Sequence, residues 1–414
     1  MKALQLQRSM RRFVAARLLS SASLRRAVEF GPLSLVEIEP PDAPANGWNE
    51  YETMLCGICG SDISTLSLRA SPYYEKLTSF PFTPGHEILA WDPRTYSRVV
   101  IEPALTCVVR GLPLCDACAS GETQRCASVT IGNIDEGIQL GYCASTGGGW
   151  GERFVAHDSQ RWEVPSSLSD EDAVMIEPLA CAIHGALRGE PTSSSRIAIV
   201  GAGAVGLATL AALRALVPDA EIVIGAKYPI QREAARRLGA GSVIAPGELG
   251  RLGRRTSRSM RAGGWSSGGF DLVYDCAGTS DSLAESIDLV RPGGRVVLVG
   301  MPAKVSIDMT PLFHREVEIR GTYAYGTERI TTALASSLGM TVSDDTSNEV
   351  PVRTFALAIA LMERLHLGWM VTHHVALDDY ESAIERASDG GHVDALKVVF
   401  DLRSPRQSYE ERTS

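Results

Sequence analysis

Long apolar runs are scarce in this sequence. The one stretch that invites a membrane reading, "IAIVGAGAVGLATLAAL" at 197–213, is shorter than the ~20 residues a bilayer demands and is broken by glycines. A buried strand, a glycine turn and a packed helix account for it better. A secretory apolar segment is missing as well. The nine cysteines in 414 residues are an odd number, which argues against a disulfide scaffold and for metal or catalytic use. Basic charge is in deficit, with a net charge of −9 and a pI near 5.5. That balance gives no support for a nucleic-acid or membrane-surface partner. No internal repeat is visible, so a solenoid is excluded.

Acids are absent before Glu29, although Lys2, Arg8, Arg11, Arg12, Arg17, Arg25 and Arg26 lie in that stretch. An organelle presequence has this composition. So does a strand–helix excursion at the start of a folded domain. "MKALQLQ" alternates like a strand and "FVAARLLSSA" reads as a short helix, so the excursion is preferred and a cytoplasmic protein expected.

The length allows two domains with substantial cores. The first half is rich in Gly, Pro and Cys and has short alternating runs such as "LSLVEIE" and "YSRVVIE", which read as a β-rich domain with long loops. From about Arg196 short apolar strands alternate with helices, the pattern of an α/β doubly wound parallel sheet. After "REVEIRGTYAYG" the alternation stops. "LGMTVSDDTSNEVP" reads as a loop, "RTFALAIALMERL" as an amphipathic helix, and the tail is expected to return to the first domain. The expected division is 1–188 with 353–414, then 189–330, with 331–352 as a loop. The Arg-rich "RLGRRTSRSMRAGG" reads as a solvated surface segment.

Gly201, Gly203 and Gly206 form G-x-G-x-x-G between the strand "IAIV" and a helix, the context that dinucleotide binding requires. Gly201 permits the tight turn, Gly203 lets a pyrophosphate approach the backbone, and Gly206 lets helix pack on strand. NAD enzymes usually place an acid at the end of the second strand, and none stands here. "IVIGAKYPIQR" offers Ala226 there, then Lys227, with Arg232 nearby. Cations without an opposing acid favour a 2′-phosphate, so NADP is expected over NAD.

Cys107, Cys115, Cys118 and Cys126 fall in one loop with spacing C-x7-C-x2-C-x7-C, which suits a closed tetrahedral structural zinc. "PGHEILA" offers His86 and Glu87, and "VMIEPLACAIHGAL" offers Glu177, Cys181 and His184, the last read as structural. In "CGICGSD" the pair Cys56 and Cys59 could be a redox couple, half of a zinc site, or one working cysteine beside a bystander.

"GICGSD", "PGHE", the four-cysteine loop, "IEPLA" and "VGAGAVG" stand in one order, and that set resembles the zinc-dependent medium-chain dehydrogenase/reductase family, the alcohol, sorbitol and threonine dehydrogenase-like enzymes. "GGGWGERFVAH", "CAG" at 276–278 and "RPGGRVVLVGMP" add to it, and the resemblance runs from about Gly31 to Leu402. It implies a GroES-like catalytic domain and a Rossmann domain, with a catalytic zinc held by Cys59, His86 and Glu177 and approached by Glu87. Cys56 matches no ligand. Ser61 matches the hydroxyl that takes the alcohol proton, and Asp62 is expected to support the zinc shell by hydrogen bonding. Val205 and Gly300 match cofactor-binding positions beside Gly201, Gly203 and Gly206. The implied cofactors are two zinc ions, one catalytic and one structural, and NADP. The implied partner is a small alcohol, polyol or matching carbonyl, and the implied assembly a homodimer or homotetramer. Two departures stand out. Ser64 occupies the place of a relay histidine, and the first gap of the cysteine loop is long. The alternatives are a carbonyl reductase of secondary metabolism and a non-catalytic NADP- or zinc-binding protein.

Overall fold

The computed structural model describes residues 1–19, 23–245, 247–249, 261–262, 265–266, 268–341 and 348–403. The chain forms two units, Met1–Glu177 with Met362–Ser414, and Pro178–Leu361. The expected boundaries, 188/189 and 352/353, lie about ten residues beyond the first of these and short of the second. Most of "RLGRRTSRSMRAGG" falls outside the described residues.

In the first unit, Lys2–Leu6 pairs antiparallel with Leu33–Glu37, and the helices Met10–Leu19 and Leu24–Glu29 connect them. The main sheet is built on the long strand Trp48–Gly57. That strand pairs antiparallel with Glu87–Asp92 on one side, and on the other with Arg153–His157 at its start and Lys397–Asp401 at its end. Val371–Val375 runs parallel to Lys397–Asp401 at one edge, and Ser97–Ile101 and Arg161–Glu163 extend the other. The strand Lys397–Asp401 therefore lies directly beside the strand that leads into "CGICGSD". Tyr51 stacks on Phe154 at 5.8 Å and Trp150 meets Phe400 edge-on at 5.1 Å, pairs that add aromatic contact to an aliphatic core.

The second unit is a six-stranded parallel sheet in the order Ser242–Ile244, Glu221–Gly225, Arg196–Val200, Phe270–Asp275, Val290–Leu298, Glu318–Gly321. Numbered along the chain this is 3-2-1-4-5-6, the dinucleotide-binding order, with its switch point beside Arg196–Val200. The strand Val290–Leu298 includes "RPGG", with a register shift opposite Phe270 and Leu272. One expectation needs correction: the stretch 331–352 is not simply a loop. Thr332–Ser337 is helical, capped by the Thr331 hydroxyl accepting from the Leu334 amide, and Glu349–Arg353 pairs antiparallel with Thr327–Thr331. Ile330 and Val350 alternate inward across that hairpin among polar neighbours, a signal too short to read without its partner strand.

Candidate metal centre and cofactor site

The first cluster grows out of a strand end and a helix start. Trp48–Gly57 delivers the chain to Cys59, and Gly60–Leu66 begins immediately after it. The Cys59 backbone N–H donates to Asp62 Oδ2 at 2.9 Å, so Asp62 closes the helix N-terminus, where a carboxylate is favoured. Its other oxygen, Oδ1, faces His86 Nδ1 at 3.7 Å. With Nδ1 turned to Asp62, Nε2 is the nitrogen left for a metal, the usual carboxylate–histidine arrangement. His86 and Glu87 stand at the start of Glu87–Asp92, on the neighbouring strand. Ligand atoms of Cys59, His86 and Glu87 lie within 4.8 Å of one another. Glu177, in the first turn of Ile176–Arg188, is buried and acts electrostatically on His86 and Lys397, but is not a member of that tight group.

Lys397, in the middle of the apolar "ALKVVF", is buried and forms an ion pair with Glu87. Its Nζ also donates to the Ile58 carbonyl at 3.2 Å. A Cβ at Gly57 would collide with the Glu87 carboxylate, which is why glycine ends that strand. Cys56 is fully buried against Gly85 and Gly149, either of which would collide with its sulfur if given a Cβ. It packs the strand and stands apart from the cluster.

The donor set fits a divalent cation. The buried carboxyls Asp62, Glu87 and Glu177 and the Cys59 thiol face one ammonium, an excess of negative charge that is costly away from water. Burial alone would lower the pKa of His86. Asp62 outweighs it, with Cys59 and Glu177 adding to the effect, and the imidazole is pushed up to about 10. A proton is thus drawn to a place where a metal would relieve the same charge. Ser61 Oγ, Asp62 Oδ1 and His86 Nδ1 are buried with no hydrogen-bond partner among the described residues.

Sequence reasoning overlooked Tyr142. Its hydroxyl lies 3.4 Å from that of Thr65, and its ring is 6.1 Å from that of His86. Burial, then Asp62, pushes the phenol well above its ordinary value, while the hydroxyls of Thr65 and Ser61 pull the other way. Ser64, at the place of the relay histidine, is half-buried, and its carbonyl accepts from the Arg69 and Ala70 amides.

The second cluster brings Cys107, Cys115, Cys118 and Cys126 together within 4.8 Å. The Cys107 and Cys126 sulfurs are 3.6 Å apart, and the Cys115 and Ser128 amides point at Cys107 and Cys126 respectively, both at 3.4 Å. Amides from Ala127 and Cys118 lower the Cys115 thiol to about 6, while burial pushes Cys118 and Cys126 up. The long first gap leaves Cys107 inside the group because it folds around Arg110. That guanidinium is completely buried and donates to the carbonyls of Leu105, Ile131, Ile134, Asp135 and Gly137 at 2.7–3.3 Å. The extra residues thus carry a fastener for the loop that follows the cysteines.

In the second unit, Arg196–Val200 runs into Gly201, whose φ of +99° suits glycine. A Cβ at Gly206 would collide with the Gly201 carbonyl, whereas one at Gly203, the N-cap of Ala204–Leu216, would meet nothing within 4 Å. Turn, close packing and open approach thus fall to the three glycines as the motif requires, and Val205 sits in the first helical turn. Gly300 packs against Gly278, where a Cβ would meet backbone at 2.6 Å. The "CAG" turn is held by Asp275, which accepts from the Ala277 and Gly278 amides and from the Ser282 hydroxyl. At the end of Glu221–Gly225, Arg232 donates to the carbonyls of Ala226 and Lys227, both at 3.0 Å, and the Lys227 ammonium lies 5.2 Å above the Tyr228 ring. Both cations stand just beyond the end of that strand. His184 pairs with Glu328 at 2.7 Å, and Glu328 also accepts from Thr354, a buried structural set.

A zinc-binding dehydrogenase profile matches residues 204–338. Sorbitol dehydrogenase of Bacillus subtilis (strain 168) is 28% identical over 366 residues, 85% of this chain and 90% of that protein. Two solved structures share the fold. The alcohol dehydrogenase RspB of Escherichia coli CFT073, complexed with NADH, has a TM-score of 0.68 at 20% identity and covers 97% of this chain and 99% of its own. A putative zinc-binding dehydrogenase of Sinorhizobium meliloti 1021, bound to NADP, has a TM-score of 0.66 at 22% identity over 97% and 98%. A sheet-rich unit with clustered metal-ligand side chains and a parallel dinucleotide-binding unit define an oxidoreductase of the alcohol dehydrogenase type. Over most of its length the chain is similar to zinc-dependent medium-chain dehydrogenases/reductases.

Proposed function

We propose that this protein is an NADP-dependent, zinc-dependent dehydrogenase that oxidises a secondary alcohol or polyol, or reduces the matching carbonyl. The observation that carries the reading is the tight group of half-buried Cys59 with buried His86 and Glu87, with Glu177 acting electrostatically on His86 and the Ser61 hydroxyl, two residues from Cys59, without a hydrogen-bond partner among the described residues. Cys59, His86 and Glu177 would hold the catalytic zinc, with Glu87 able to approach it. Cys107, Cys115, Cys118 and Cys126 would hold the structural one. When bound, zinc supplies Lewis acidity to the substrate oxygen and the nicotinamide takes up the hydride.

The chain's own residues do the rest. Ser61 Oγ, buried with no short hydrogen bond among the described residues, accepts the proton of the substrate hydroxyl. Ser64 cannot act as an imidazole would, so the proton passes on through the adjoining Tyr142 and Thr65 hydroxyls. Asp62 accepts from the Cys59 backbone N–H and attracts the His86 ring electrostatically. Lys397 draws Glu87 to itself and restrains it from displacing Glu177. Lys227 and Arg232, with no acid beside them at the strand end, favour the 2′-phosphate. The polyol relative supports the substrate class.

Steady-state kinetics over a panel of secondary alcohols and polyols, with NADP+ and NAD+ in parallel, test this. A higher kcat/KM with NADP+, lost in Lys227→Ala, is the expected result. A clear preference for NAD+ defeats the cofactor assignment, and no turnover of any hydroxyl substrate or its carbonyl defeats the activity.

A further inference from the structure

The overall acidity of the chain conceals a local imbalance at its start. Residues 1–28 contain Lys2 and six arginines but no acid, whereas the whole chain carries −9. Within this stretch the helix Met10–Leu19 has two apolar sides. Ala16 is buried and Phe13 packs against the core of the first unit, which anchors the helix. The other side is not covered among the described residues. Met10, Val14 and Leu18 are 79%, 52% and 73% exposed. Spaced four apart, they lie along one stripe. With an advance of about 100° per residue, Arg17 falls at one edge of that stripe and Arg11 at the other, both exposed. Apolar residues scattered singly over a surface need no explanation, but an aligned stripe with a cation on each side does.

Charge and area decide between occupants. Three side chains fall far short of the ~800 Å² per partner of a stable protein–protein interface. They suffice for shallow insertion at a lipid boundary, where an interfacial helix buries its apolar face only ~5–10 Å deep. Arginine attracts anionic headgroups, and no acid of the helix opposes it. Arg8 is engaged with Glu75, Arg12 with Ser34, and Arg17 donates to the Leu68 carbonyl. Arg11 has no ion pair among the described residues. Because Phe13 and Ala16 already hold the helix in place, binding does not have to form it.

We propose that the helix Met10–Leu19 docks this enzyme on an anionic phospholipid surface. Met10, Val14 and Leu18 enter the headgroup boundary, and Arg11 and Arg17 lie against the lipid phosphates. Co-sedimentation of the full chain with vesicles tests this, one set of phosphatidylcholine alone and one of phosphatidylcholine with phosphatidylserine. Partition onto the serine-containing vesicles is expected to be at least about tenfold stronger and to fall with added salt. Arg11→Gln should weaken it about fivefold. The triple variant Met10→Ser, Val14→Ser, Leu18→Ser should weaken it about tenfold or more, with thermal unfolding and solution turnover unchanged. Three results would overturn the proposal: no partition of the wild type, equal partition of the wild type and triple variant, or self-association of the wild type that the triple variant abolishes. The last would assign the stripe to a second copy of the chain.

Discussion

Lys397→Met tests the charge balance beneath the metal cluster. The substitution keeps an apolar stem of similar length and removes the ammonium. Glu87, 1% exposed, then loses its buried counter-charge, and the Ile58 carbonyl loses its donor at 3.2 Å. Breaking a buried ion pair by removing one partner costs about 3–5 kcal/mol. That is a large share of a typical ~5–15 kcal/mol of total stability. Urea unfolding of the metal-free protein should show the loss directly. Glu87→Gln with Lys397→Met removes both charges and should recover most of it. Saturating zinc should restore part of the loss in the single variant, because the cation offers Glu87 a second partner and binds only the folded state. A loss below about 1 kcal/mol in metal-free Lys397→Met would refute the reasoning, since a pair worth that little would behave as an exposed one.

Arg110→Met should strip the long cysteine loop of its fastener. Five carbonyls lose a charged donor, at roughly 1.5–3 kcal/mol for each such bond. Zinc analysis is expected to show loss of the structural equivalent with the catalytic one retained. Asp401→Asn tests the acid limb of the stability curve. Burial opposes ionisation of Asp401, but His374 and Arg403 outweigh it and hold the carboxyl well below its ordinary 3.8. A depressed carboxyl contributes stability above its unfolded pKa, and that contribution is lost as pH falls through the folded value. The variant should therefore lose stability at neutral pH and show a flatter decline on acidification in pH-dependent thermal unfolding. Tyr142→Phe should lower kcat more than it raises KM and flatten the pH profile of kcat, if its hydroxyl carries the proton onward from Ser61.

The parts legible in the sequence were those with a local signature. The glycine motif needs only its own six residues and the flanking strand and helix, and in the structure a Cβ would collide at Gly206 but meet nothing at Gly203. The four cysteines announced themselves by density. Cys59, His86 and Glu177 drew attention through their order along the chain, and the structure gathers Glu87, rather than Glu177, into a tight group with the first two. What was not legible depends on distant strands. Lys397 lies far along the chain from Glu87, and only the pairing of Lys397–Asp401 with Trp48–Gly57 brings them together. A lysine inside the apolar "ALKVVF" was the available clue, because a buried cation implies a partner. Arg110 was hidden in the long gap that made Cys107 doubtful, and its acceptors are backbone carbonyls, which no side-chain pattern reveals. The stretch 331–352 reads as a loop because the strand Glu349–Arg353 alternates over only a few residues and is not recognisable without its partner Thr327–Thr331.

The most direct test of the account compares zinc content and turnover in Cys59→Ser and Cys115→Ser. Cys59→Ser should lose one zinc equivalent and its turnover, with thermal unfolding little changed. Cys115→Ser should lose the other equivalent and unfold at lower temperature. If Cys59→Ser keeps both its zinc content and its turnover, the cluster of Cys59, His86 and Glu87 is not the catalytic centre.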